Sequence, residues 1–89
     1  MTIGRILQIF RVINNYSTKQ LAELLNVSQA FITDLENGKK TPSLETTNQI
    51  AKAFNVSPST ILRIHEFSEK NNGDFNKTLL EVVKIYVSE

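Results

Sequence analysis

Apolar and polar positions along this chain repeat with a helical period, broken at short polar corners. Ile3, Leu7, Phe10 and Ile13 recur three and four residues apart, and Ile6 widens the stripe, which predicts a first helix over 3–14. Asn14-Asn15-Tyr16-Ser17 interrupts it. A second helix is expected from Thr18 to about Leu25, capped by Ser17 or Thr18, with Leu21, Ala22, Leu24 and Leu25 as its apolar or small positions. A third covers about Ser28 to Asn37, carries Phe31, Ile32 and Leu35, and stops at Gly38, which supplies a left-handed end. After Lys39-Lys40-Thr41-Pro42, Ser43 caps a fourth helix with Ile50, Ala51 and Phe54 on its apolar face. Ser57-Pro58 then reads as a cap followed by proline at the first helical position, opening a fifth helix with Ile61, Leu62 and Ile64.

Residues 69–74 read as a linker or sharp turn. Beyond them Phe75, Leu79, Val82, Val83 and Tyr86 fit one helical face, so a helix is expected. Val83, Ile85 and Val87 also alternate, and β-branched residues favour strands, which keeps a strand as the competitor. The chain therefore divides into a unit over 1–68 and a tail over 69–89.

The corner between the second and third helices is the most specific local feature. Ala22 provides the small side chain that two closely crossing helices need. Asn26 sits where the chain must turn sharply, and asparagine tolerates the left-handed conformation. Val27 can plug the corner into the core, and Ser28 is a good N-cap. A helix held this way over a compact base is the usual device for entering a DNA major groove.

Length and composition narrow the alternatives. Eighty-nine residues suit one small domain with a modest core. With no cysteine, disulfides and thiolate metal sites are excluded. No apolar run approaches bilayer length and no leader pattern is visible, so a cytoplasmic protein without membrane contact is expected. The net charge is only +1, with +2 over residues 1–66 and −1 over 67–89. Phosphate binding needs a local basic surface rather than a basic total, and this low total argues against strong non-specific binding by a monomer. No glycine-rich phosphate loop, nucleophile elbow or paired histidines at ligand spacing are present, so no enzyme, cofactor or metal site is expected. The single His65 lacks the companions of a metal site.

The string Leu21-Ala22…Asn26-Val27-Ser28-Gln29…Ile32-Thr33-Asp34-Leu35-Glu36-Asn37-Gly38-Lys39 and the later Pro42-Ser43-Leu44-Glu45-Thr46 block resemble the Cro/C1-type helix-turn-helix family, also called XRE. The likeness covers about residues 3–66. It implies an all-α, five-helix, lambda-repressor-like DNA-binding domain, here with a helical C-terminal extension. It also implies that the third helix is the recognition helix.

On that resemblance Gln29, Ala30, Thr33 and Asp34 would approach base edges. Gln29 leads, because an amide can donate to and accept from adenine at once. Asp34 departs from the family, which often places a basic or amide residue there. A carboxylate near phosphates is repelled; it can accept from cytosine N4, stay in solvent or pair with a lysine. Thr18 stands where the family commonly has glutamine, and its hydroxyl with the nearby helix-start N–H groups could hold a phosphate. Lys19, Asn37, Lys39, Lys40 and Thr41 are the other phosphate candidates. The family also implies a structural ion pair between Arg11 and Glu36, read here in preference to a DNA role for either.

One such module buries too little surface for high specificity alone, so a homodimer on a palindromic operator is expected, its recognition helices about 34 Å apart. Dimer contact is expected through Ile61, Ile64 and Phe67 with Phe75, Leu79, Val82, Val83 and Tyr86, and packing onto the chain's own core is the competitor. The function implied is a transcriptional regulator, most simply a repressor, with double-stranded DNA as partner. A rival within the family is an antitoxin, whose tail binds a toxin or regulatory protein while the helix-turn-helix autoregulates.

Overall fold

A computed structural model describes residues 1–87; the last two residues of the expected tail lie outside the described part. Six helices follow in chain order: α1 (Ile3–Ile13), α2 (Thr18–Leu25), α3 (Gln29–Glu36), α4 (Leu44–Ala53), α5 (Pro58–Lys70) and α6 (Phe75–Val87). The expected all-α fold with a helical C-terminal extension holds. The alternating Val83, Ile85 and Val87 do not make a strand, because the helical face through Leu79, Val82 and Tyr86 finds a core to cover.

The same corner recurs through the chain. Thr2, Ser17, Ser28, Ser43 and Ser57 each stand just before a helix and accept a hydrogen bond from a backbone N–H of its first turn. Ser17 and Gln20 complete a reciprocal capping box. At the other ends, Asn15, Asn26, Gly38 and Asn55 take left-handed conformations, as do Asn72 and Gly73 together. Each of these five ends is closed by an N–H reaching a carbonyl five residues back: Tyr16 to Arg11, Val27 to Ala22, Lys39 to Asp34, Val56 to Ala51 and Gly73 to Ser68. Three corners share one wording, Asn-x-Ser, at 15–17, 26–28 and 55–57. The middle residue of each, Tyr16, Val27 or Val56, packs against the core. Polar corner residues thus stop one helix and start the next, while the residue between them fastens the corner down.

The expected boundary at 68/69 falls inside α5, which continues to Lys70. Glu69 and Lys70 are good helix formers; the stop comes only at Asn72 and Gly73. Asp74 then accepts from the Lys77 N–H and opens α6.

α1 is the central element, with α3, α5 and α6 packed against it. Phe10 lies parallel to Phe54 at 6.2 Å between ring centres and meets Tyr86 edge-on at 6.3 Å. The Tyr86 hydroxyl donates to the Phe54 carbonyl and accepts from the Asn14 amide, tying α6 to the ends of α1 and α4. Where α5 meets α6, Ser68 and Thr78 are fully buried, and each hydroxyl donates to a carbonyl of its own helix start or turn.

This packing revises the expected dimer surface. Ile61, Ile64 and Val82 have no exposed surface and belong to the chain's own core, so a second copy cannot reach them without unfolding it. Tyr86 is committed to Asn14 and Phe54. Phe67, Leu79 and Val83 are half-buried, and Phe75 remains exposed. The tail covers its own chain because α1, α4 and α5 leave an apolar surface that α6 closes.

Candidate nucleic-acid interface

α3 is held from behind. Ile32 and Leu35 are almost wholly buried, and Leu21 and Ala22 of the adjoining α2 belong to the same core. The opposite side of α3 turns Gln29, Ala30 and Thr33 to solvent, with Asp34 half-buried beside them. Asn26 sits at φ 58° and ψ 46°, the left-handed geometry that the sharp corner requires. Ser28 accepts from the Phe31 N–H and fixes where α3 begins.

Gln29 is not a loose surface side chain. Its Nε2 donates to the Thr18 hydroxyl at 2.9 Å, linking the first turns of α2 and α3. One amide hydrogen is thereby committed, and the other hydrogen and Oε1 stay available to a base edge. Thr18 and Lys19, at the first two positions of α2, also have backbone N–H groups with no partner within the helix. The Thr33 hydroxyl donates back to the Gln29 carbonyl at 3.2 Å.

The base of α3 is clamped by an ion pair. Arg11 Nε donates to Glu36 Oε2 at 2.6 Å and Nη2 donates to Oε1 at 3.0 Å. Its Nη1 reaches the Tyr16 carbonyl at 2.7 Å. The two side chains are only 11% and 6% exposed, so neither is offered to a ligand. The forked geometry joins the end of α1, the first corner and the end of α3 in one network.

A polar and basic rim lies around the exposed face. Lys19, Asn37, Lys39, Lys40 and Thr41 are all exposed. Lys40 is folded back: its Nζ lies 3.9 Å from Asp34 Oδ2 and 5.3 Å from the centre of the Phe31 ring. The Gln29–Thr18 bond escaped the sequence. A lysine partner was one of the alternatives expected for Asp34, and the left-handed Gly38, which reverses the chain directly after α3, makes that partner Lys40. Among the described residues no three His, Asp or Glu side chains cluster as metal ligands, and His65 pairs with Glu69 at 3.2 Å.

The helix-turn-helix family profile matches residues 7–61, from within α1 into α5. The chain belongs to the Cro/C1-type helix-turn-helix family. Relatives include the HTH-type transcriptional regulator ImmR of Bacillus subtilis, 31% identical over 94% of this chain and 67% of its own length. The Immunity repressor protein of Bacillus phage phi105 is 28% identical over 85% of the chain and 53% of its own length. The Competence pilus inhibition repressor of Acinetobacter baylyi is 35% identical over 86% of the chain and 69% of its own length. The chain thus spans between about half and about two thirds of these relatives' length. No solved structure matches it. Within this Cro/C1-type frame, α2 and α3 are the two helices of the motif, and α6 lies beyond the matched segment.

Proposed function

We propose that this chain is a sequence-specific DNA-binding transcriptional regulator that acts as a repressor, with α3 in the major groove. The observation that carries the reading is the state of Gln29: exposed on the outer side of a capped, core-backed helix and held by Thr18. Holding a glutamine amide in one orientation suits it to adenine, which presents an acceptor and a donor side by side. Ala30 and Thr33 lie beside it to meet neighbouring base edges. Thr18, Lys19, Asn37, Lys39, Lys40 and Thr41 are the phosphate contacts of the same proposal. The names of the relatives, one regulator and two repressors, support it.

The bound form is a homodimer on a palindromic site, its half-sites one helical turn apart. Support comes from apolar surface left on the outer side of the tail, where Phe75, Leu80 and Val87 are each more than half exposed. The same surface is what the antitoxin reading would use to bind a toxin protein. In vitro selection of bound duplexes tests the proposal. A two-fold symmetric consensus with an adenine required once per half-site is expected; recovery of unrelated sequences would sink the reading.

A further inference from the structure

The face offered to DNA carries its own counter-ion. Asp34 lies on α3 one residue after Thr33, and its main-chain carbonyl accepts from both the Lys39 and the Lys40 N–H groups, at 2.9 and 3.3 Å. The turn that ends α3 therefore brings Lys40 back beside the helix it has just left. There the ammonium stands 3.9 Å from the Asp34 carboxylate and 5.3 Å from the centre of the Phe31 ring. Asp34 keeps 32% of its side-chain exposure and Lys40 keeps 53%, so water and a phosphate can still reach both. The ring and the carboxylate attract the cation together, one through its π-face and one through its charge.

On the reading of α3 as a DNA-contacting helix, we infer that Asp34 is a specificity-determining residue that masks Lys40 from non-specific phosphates. A phosphate must compete with the Asp34 carboxylate for Lys40, and its approach is opposed by the same negative charge. On random DNA that competition has no compensation. On the cognate site the base contacts of α3 hold the duplex in place, and Lys40 exchanges Asp34 for a phosphate within reach. The mask lowers affinity for all sequences but lowers it most where nothing else anchors the protein, and so widens the gap between right and wrong sites. The 10 Lys and Arg of the chain are nearly cancelled by 9 Asp and Glu, so little net attraction to phosphates remains and the state of one lysine on this face matters.

The test uses the full chain, a duplex recovered by selection and a scrambled duplex of the same length, titrated between low and moderate salt. Asp34→Asn is expected to tighten binding to the scrambled duplex by about two- to fivefold. It should also steepen the salt dependence by about 0.9 in log–log slope, the release expected for one further phosphate contact. The selected duplex should gain less, so discrimination falls. In a Lys40→Ala background the same Asp34→Asn change should do little. An equal gain with and without Lys40 would overturn the mask, because Asp34 would then act by plain repulsion. So would a changed preference at a single base pair, which would make Asp34 a reader of cytosine, or no change at all. Failure of the unmodified chain to bind any duplex sinks the DNA reading and the mask with it; normal binding with an indifferent Asp34→Asn sinks only the mask.

Discussion

Two ion pairs tie α3 to the segments around it, and burial makes them different devices. Arg11 and Glu36 are 11% and 6% exposed and meet through two hydrogen bonds in a forked arrangement. Lys40 and Asp34 are 53% and 32% exposed and stand 3.9 Å apart with no hydrogen bond between them. The inner pair lies where water is excluded, so neither charge can be released without finding another partner. The outer pair lies in water and salt, where the attraction is weak and either charge can change partners readily. One helix is thus anchored by the charges on its inner side and tuned by those on its outer side.

The sharpest way to break the comparison is to remove one inner partner. Glu36→Ala leaves the Arg11 guanidinium buried with only the Tyr16 carbonyl, and a loss of about 3–5 kcal/mol in unfolding free energy is expected by denaturant titration. Replacing both partners together, with Arg11→Met and Glu36→Leu, should restore much of that loss, since the cost lies in the stranded charge. If Glu36→Ala were no more damaging than a surface change, the inner pair would be no anchor.

The next effect concerns the contact that sets α3 against α1. A Cβ on Gly4 would stand 1.7 Å from the Leu35 carbonyl oxygen, a main-chain atom that cannot swing away. Gly4→Ala must push α1 and the end of α3 apart, and about 2–3 kcal/mol of destabilisation is expected in the same titration. Because the shift reaches the end of α3, the helix proposed to enter the major groove, DNA affinity measured well below the melting range should fall as well.

These two sites show what the sequence could and could not announce. The corners were legible because serine and asparagine stop and start helices through their own backbone and side-chain chemistry, with little help from distant residues. Arg11 and Glu36 lie 25 positions apart, and only the family resemblance joined them. Gly4 gave no signal, since its role is a close approach between two helices that no local pattern encodes. The tail was readable as a helix, but α6 is apolar on several sides, with Leu80 and Val87 outward and Val82 inward. Its hydrophobic pattern alone could not say which side meets the core and which a partner. Gln29 stood out as a candidate base contact only through the family resemblance, while its bond to Thr18 depends on how α2 and α3 cross.

That bond gives the intermediate effect. Gln29→Ala should cost about 1–3 kcal/mol at the selected site, with relaxed preference at one base pair per half-site, measured by mobility shift on single-base variants. Thr18→Val removes the acceptor while keeping the side chain's shape. A smaller loss, about 1 kcal/mol, is expected at the same base pair, because the amide remains but is no longer held. If Thr18→Val weakened all sequences alike, Thr18 would be a phosphate contact only and the link to Gln29 would have no part in reading.

The smallest effect is the complement of the first. Asp34→Asn should change unfolding free energy by less than about 1 kcal/mol, because an exposed pair at 3.9 Å gains little over its separately hydrated charges. Lys40→Ala should be comparably mild, with the lost contact over the Phe31 ring adding to it. A double-mutant cycle on stability separates the pairwise part, and raising the salt concentration should shrink that part towards zero. The inner pair, shielded from ions, should keep its coupling under the same salt. A stability coupling at Asp34–Lys40 as large and as salt-resistant as that at Arg11–Glu36 would mean that the outer pair is fixed in the fold. It could then not open to a phosphate, and the division between an anchoring side and a tunable side of α3 would fail.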